Sequence, residues 1–245
     1  MKKAAVILPG LIRTYLQTHE NFFSNVISPN SDEWEIDIYL AFWDHTHFRG
    51  EGSTPRVMVR KIEKKEVDKI IEIYSPKKYT ILQEYEKKNS IEFKKIANDL
   101  VKITGMPRHA DGISLIQGAV VAQTYSWYKA FSLIEEEYDI VVKYRFDIQS
   151  PPIIFNDIEK DKYNCIGQEG QYDSFGIADV IFASRQDIME KCMKGIHLEI
   201  VSLTMPDISK RQPNVFPEFV VKDFLQRNNI PIKQIRDLAT IIIRE

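Results

Sequence analysis

Arg145 and Asp147 are the residues whose types and spacing point most directly to chemistry. They close the stretch Tyr138-Asp139-Ile140-Val141-Val142-Lys143-Tyr144-Arg145-Phe146-Asp147, whose apolar middle reads as a buried strand. Side chains two apart on a strand share a face, so Arg145 and Asp147 are expected to converge on one ligand at its carboxyl end. An aspartate holding Mg²⁺ or Mn²⁺ beside an arginine would clamp a diphosphate, because hard divalent ions use few protein carboxylates and complete their shells with phosphate oxygens and water. The plain alternative is an Arg–Asp ion pair at a strand end, which stabilises little when exposed.

Two further turns carry candidate residues. After the apolar run Ala4-Ala5-Val6-Ile7-Leu8 comes Pro9-Gly10-Leu11-Ile12-Arg13-Thr14. Gly10 permits close backbone approach, N–H groups opening the next helix can receive a phosphate, and Arg13 adds a planar fork suited to a diphosphate. The bland reading is a strand-to-helix turn with a solvent-facing arginine. Trp43-Asp44-His45-Thr46-His47 follows a second apolar run; Asp44 is placed to accept from a ribose or base, and Trp43 to stack on a ring. His45 and His47 bring no third ligand at partner spacing, so a histidine metal site is not expected.

These turns need elements to hold them. Short apolar runs at 4–8, 36–42, 79–82, 139–144, 164–166 and 178–183 read as strands. Helical spacing appears in Val67, Ile70, Ile71 and Tyr74, in Phe93, Ile96, Leu100 and Ile103, and from about Ser114 to Glu137. Ser184 is placed to cap another helix running through Met193, and Pro217 to begin one reaching Gln226. Strands alternating with helices predict an α/β fold with a mostly parallel sheet, whose ligands bind beyond the carboxyl ends of its strands. One domain is expected over 1–245, with a nucleotide-binding half at 1–150 and a less regular acceptor-side half at 151–245. His45 to Arg56 reads as a loop.

Composition narrows the function classes. Lys+Arg 33 against Asp+Glu 35 leaves a formal charge of −2, which argues against nucleic acid as partner. Two cysteines, Cys165 and Cys192, fit neither a disulfide framework nor a zinc site, so a reducing compartment is expected. The N-terminal apolar run is too short for a signal peptide, and no stretch approaches the ~20 apolar residues of a membrane span. The expected location is therefore cytoplasmic, with peripheral membrane contact left open. Tyr125, Trp127, Tyr128 and Phe131 read as core aromatics or as an acceptor groove, and His109 as part of a lid.

Together these stretches resemble a family of small bacterial and viral GT-A-like glycosyltransferases encoded with surface-polysaccharide genes. Val6 to Tyr15 is similar to the family's opening strand with its "SGQLRT"-like turn, and Asp37 to Asp44 to its second strand ending in "TWD". Gln123 to Ala130 followed by Tyr138 to Asp147 resembles its "SQWYS…YDIVIRxRxD" core. Gly176 to Ala183 and Pro217-Glu218 resemble its "D-x-F-A" strand and "PE" helix.

The resemblance implies a GT-A-like fold, a Rossmann-like and mostly parallel sheet flanked by helices. It also implies transfer of a sugar from a nucleotide-diphosphate donor to a glycan or lipid-linked acceptor. Asp147 falls where such enzymes place the metal-binding aspartate for Mn²⁺ or Mg²⁺, although Arg145 stands where their first acid would be and Pro9 replaces a polar residue. Gly10 and Arg13 would lie on the nucleotide side, Trp43 and Asp44 would flank base or ribose, and Gln123 and Lys129 would face the sugar diphosphate. Asp179 and Glu218 are the acids to test as general base; Glu218 also suits a first helical turn through the helix dipole alone. Two alternatives stay open: a nucleotide-dependent transferase of a phosphoryl-type group onto a sugar, and a non-catalytic nucleotide- or glycan-binding module.

Overall fold

The computed structural model describes residues 1–49, 57–83, 115–166, 180–202, 217–235 and 241–242. The chain opens with β1 (Lys2–Gly10) and α1 (Tyr15–Phe22), which runs through a π-helical turn into a 3-10 turn ending at Asn30. Next come β2 (Trp34–Trp43), the antiparallel pair β3 (His45–Arg49) and β4 (Val57–Lys61), α2 (Lys64–Tyr74) and β5 (Lys78–Leu82). The long helix α3 (Leu115–Phe131) leads into β6 (Ile140–Lys143), followed by β7 (Ile148–Gln149) and β8 (Tyr163–Ile166). The remainder contains β9 (Ile181–Ser184), α4 (Gln186–Ser202), α5 (Pro217–Arg227), β10 (Ile232–Ile235) and β11 (Ile241–Ile242).

Among the described residues, seven strands form one sheet in the order β10-β8-β9-β6-β1-β2-β5. β6, β1, β2 and β5 are mutually parallel, and β9 runs antiparallel to both β6 and β8. The mostly parallel α/β sheet is thus as expected. It also takes in β8, β9 and β10, so strands from both halves of the chain share one set of ladders.

β1 lies inside this sheet between β6 and β2, and Ala4 to Leu8 have no solvent exposure. A strand covered on both faces needs apolar residues at every position, which is why its sequence shows no alternation. Ala5 and Ile7 face a layer with Trp127 of α3, Met193 of α4 and Phe224 of α5, while Val6 and Leu8 face Phe22 of α1 and Tyr74 of α2. Helices therefore cover both faces. α2 begins at a reciprocal cap in which Glu63 and Glu66 exchange side-chain-to-backbone hydrogen bonds.

Several boundaries differ from expectation. The stretch 45–56 read as a loop, yet β3 occupies His45–Arg49 because Thr46, His47 and Phe48 pair with Arg60, Val59 and Met58 across the hairpin. β6 stops at Lys143, so Arg145 and Asp147 lie in the turn after the strand rather than on it. α4 continues to Ser202, well past Met193. The helix expected around Phe93 to Ile103 and the lid residue His109 lie outside the described residues.

Candidate functional site

Strand order sets where the site can be. From β1 the chain moves to β2 and then β5 on one side, and afterwards to β6 on the other side of β1. The carboxyl ends of β1 and β6 thus flank a topological switch point, the place where open α/β sheets generally bind their ligands. The two turns that leave these ends are 10–14 and 144–147.

The first turn is unusual in its backbone. Gly10 has φ +116°, and a Cβ there would meet nothing within 4 Å, so glycine is needed for conformation and not for room. Thr14, at the N-cap of α1, is left-handed at φ 54° and ψ 14°, a region that disfavours a β-branched residue by roughly 1–3 kcal/mol. Neighbouring contacts hold it there. Ile12 and Tyr15 are buried, and the Thr14 carbonyl accepts from the Gln17 N–H at 2.8 Å and the Thr18 hydroxyl at 3.1 Å. Thr18 Oγ1 also lies 2.5 Å from the carbonyl oxygen of Phe146, bracing the first turn against the second.

The second turn is anchored by its two aromatic residues. The Tyr144 N–H donates to the Ile7 carbonyl at 2.9 Å, and the Tyr144 and Phe146 rings pack into the layer beneath α1 and α2. Arg145 and Asp147 are turned elsewhere and meet each other. Arg145 donates Nε–H to Asp147 Oδ1 and Nη2–H to Oδ2, both at 2.8 Å, and Arg13 Nη2 donates to the same Oδ2 at 3.2 Å. The Asp147 side chain is 4% exposed, against 20% for Arg145 and 29% for Arg13. Asp147 is thus the most buried of the three side chains. Burial alone would push the Asp147 carboxyl up, but Arg145 and then Arg13 outweigh it and hold it below the ordinary aspartate range.

This donor set fits a divalent metal poorly. Both Asp147 oxygens already accept from guanidinium groups, and the three side chains together carry one net positive charge. Among the described residues, no three His, Cys, Asp or Glu side chains gather as a ligand cluster. A hard cation would have to break the Arg145 fork and then stand between two arginines.

The other expected residues are placed as follows. Trp43 ends β2 at the same sheet edge but is 4% exposed, with Tyr125 and His45 ring centroids each 6.0 Å away, so it is chiefly a core residue and offers a base little face. Asp44 is more open at 17% side-chain exposure, and its Oδ1 is 3.3 Å from His45 Nδ1. Its N–H donates to Leu82 and its carbonyl accepts from Ile62, joining β2 to the segments beside it.

Gln123 is half-buried on α3, and Lys129 stands in the last turn of that helix. α3 runs toward the amino edge of the sheet, where β6 begins, so six residues place Lys129 about 9 Å further along the axis from the carboxyl edge than Gln123. Its ammonium reaches back over the Tyr125 ring at 5.5 Å and is not with Arg13, Arg145 and Asp147, contrary to its expected place at the diphosphate. Asp179 lies outside the described residues. Glu218 is the second residue of α5, and its side chain is also outside them.

Two residues escaped sequence reasoning. Lys143 is 1% exposed, donates to the Val180 carbonyl at 3.1 Å, and lies over the Phe182 and Trp127 rings at 4.7 and 5.2 Å. It ties the end of β6 to the start of β9, and the signal was a lone lysine within an otherwise apolar strand. His197 of α4 is buried, 3.2 Å from Thr124 Oγ1, and 5.4 Å from both the Tyr125 and Tyr128 rings. No sequence signal marks it, because its neighbours come from α3. No family model matches this chain, and neither does any curated protein sequence.

Proposed function

We propose that the chain is a GT-A-like glycosyltransferase that moves a sugar from a nucleotide-diphosphate donor to a glycan or lipid-linked acceptor. One observation carries the reading: at the switch point of an α/β sheet, Arg13 and Arg145 from two strand ends meet on a buried carboxylate. In sugar transfer the bond from the anomeric carbon to the diphosphate oxygen breaks as the acceptor hydroxyl bonds to that carbon. Negative charge grows on the departing diphosphate, and two preorganised guanidinium groups stabilise it there. The acceptor proton passes to a carboxylate, with Asp179 and Glu218 the residues to test.

Asp44 supports the nucleotide end as a partly open acceptor for ribose at the same sheet edge. Buried thiols at Cys165 and Cys192 accord with work in the cytoplasm. No helix among the described residues is long and apolar enough to cross a membrane, so a lipid-linked acceptor would be met at the surface.

The test is incubation of the purified chain with UDP-, GDP-, CDP- and dTDP-sugars and candidate glycan acceptors. Released nucleotide is followed by chromatography and the acceptor by mass spectrometry. Release of a nucleoside diphosphate with a sugar added to the acceptor, abolished by Arg145→Gln, is the expected result. Transfer of phosphate to a sugar would refute it in favour of phosphoryl transfer, and absence of nucleotide binding in folded protein would remove the nucleotide site altogether.

A further inference from the structure

We infer that Asn21 and Asn25 are positioning residues of the site: their amides take the backbone groups of the segment that follows Asp147, as a neighbouring strand would, and so fix where that carboxylate stands. This rests on the transferase reading above and adds which residues outside the site hold it in register.

The need for such partners is written in the sequence. Ile148-Gln149-Ser150-Pro151-Pro152-Ile153 carries two successive prolines, which have no N–H to give to a ladder and keep Ser150 extended. Yet Ser150, Ile153 and Phe155 are buried, so their backbone groups must find partners elsewhere. Asn21 of α1 serves Ser150 twice, accepting from its N–H on Oδ1 at 2.8 Å and donating Nδ2–H to its carbonyl at 3.2 Å. Asn25, in the π-helical turn, donates to the same carbonyl at 2.6 Å, and its own carbonyl accepts from the Ile153 N–H at 2.8 Å. Asn30 continues the series, accepting from the Phe155 N–H and donating to the Ile153 carbonyl, both at 2.7 Å. An amide suits these places because it carries a donor and an acceptor side by side.

The same face of α1 grips the chain on both sides of Asp147. Thr18, three residues before Asn21, bonds the Phe146 carbonyl, and Asn21 and Asn25 hold Ser150. The Tyr144 hydroxyl closes the loop by donating to Ser150 Oγ at 3.1 Å, and β7 pairs with β11 between these anchors. Arg13 directly precedes the N-cap of α1, so one helix both launches Arg13 and carries the segment that places Asp147. The three side chains meet at 2.8 to 3.2 Å, a geometry that a shift of about 0.5 Å would spoil.

The experiment is a calorimetric titration of UDP, GDP, CDP and dTDP, with Mn²⁺ present, into the full chain and its variants, well below their melting temperatures. The wild-type chain is expected to bind one nucleotide. Asn21→Asp and Asn25→Asp, which keep the shape but set an acceptor against the Ser150 carbonyl, should each weaken binding by about tenfold. Asp147→Asn should do so as well. Joined to Asn21→Asp it should still cost about tenfold, where independent effects would multiply to about a hundredfold. In the wild-type chain, nucleotide at about a hundred times its dissociation constant should slow hydrogen exchange of the Ser150 and Ile153 amides by about tenfold, because binding and opening of this segment are linked.

Unchanged affinity in folded Asn21→Asp and Asn25→Asp would overturn the inference and leave the transferase reading in place. So would losses that multiply with Asp147→Asn, or Ser150 and Ile153 amides whose exchange ignores bound nucleotide. Binding of none of the four nucleotides by wild-type chain that is folded by circular dichroism would overturn both. The wild-type exchange measurement decides the matter even if a variant fails to fold.

Discussion

Thr18→Val removes one hydroxyl and leaves almost everything else. The two side chains are nearly the same shape and both β-branched, and their helix propensities are close, so neither cavity nor propensity contributes much. Thr18 is 1% exposed, and its hydroxyl lies within hydrogen-bond reach of two carbonyl oxygens, those of Thr14 and Phe146. The Thr14 oxygen retains the Gln17 N–H at 2.8 Å, so the Phe146 oxygen is the one that loses its donor. Leaving a buried acceptor without its partner costs about 1–3 kcal/mol, and we expect about 2 kcal/mol here.

For a chain of this length each kcal/mol moves the melting temperature by roughly 2–4 °C, so a fall of roughly 4–8 °C is expected. Circular dichroism on heating reads it. Thr18→Ser keeps the hydroxyl and should recover most of the loss, less what its missing methyl group contributes. Because the same hydroxyl braces the Arg13 turn against the Asp147 turn, nucleotide affinity in Thr18→Val should also fall by several-fold. A change below about 0.5 kcal/mol, the range of an ordinary surface substitution, with unaltered nucleotide binding would refute the bracing role. So would equal losses in the Val and Ser variants, since the hydroxyl would then not be the cause.

Asp37, whose carboxylate accepts from Lys77 Nζ at 2.7 Å and the Tyr138 hydroxyl at 2.6 Å, should stabilise the fold in a pH-dependent way. Burial raises its pKa, but those two hydrogen bonds outweigh burial and the net shift is downward. Its contribution is therefore present above the unfolded aspartate value near ~4 and lost as pH falls through the lower folded value. Asp37→Asn should cost about 1–2 kcal/mol in urea melts near neutrality, with the gap from wild type closing below about pH 4. Gly195→Ala would place a methyl 2.6 Å from Phe224 Cζ where α4 crosses α5, and Phe224 is itself buried. Overpacking of roughly 1–3 kcal/mol should exceed the ~1 kcal/mol gained in helix propensity, so a lower melting temperature is expected and a higher one would show that Phe224 can yield. Cys165 and Cys192 are buried, and burial pushes both thiols up to about 12, so a thiol reagent should label neither in native protein and both after unfolding.

Much of the frame was legible because burial writes itself into local composition. The apolar runs at 4–8, 36–42, 79–82, 139–144, 164–166 and 178–183 each contain or overlap an observed strand; within the sheet this follows because a strand covered on both faces disfavours polar side chains, whereas 79–82 lies on the partly exposed edge strand β5. β10 and β11 were not anticipated. β10 is half-buried at every position as an edge strand, so Ile232-Lys233-Gln234-Ile235 carries no strong pattern. The pair Arg145 and Asp147 was found from spacing alone, but for the wrong geometric reason. The strand ends at Lys143, and the two side chains meet through a turn instead of through strand alternation.

What the amino-acid sequence determined by itself is local: which segments are apolar enough to be strands, which carry helical spacing, and which turns hold arginine, aspartate and glycine. Those properties follow from interactions within a few residues along the chain, where backbone geometry and solvent exclusion act directly. Tertiary structure alone decided the electrostatic sense of the site. Arg13 lies 134 residues from Asp147, and they are joined because β6 inserts beside β1 and closes the switch point. With Arg145 on one side and Arg13 on the other, a carboxylate that suggested a cation site in sequence is held between two guanidinium groups in space. Charge acts through distance in three dimensions, and spacing along the chain does not report that distance.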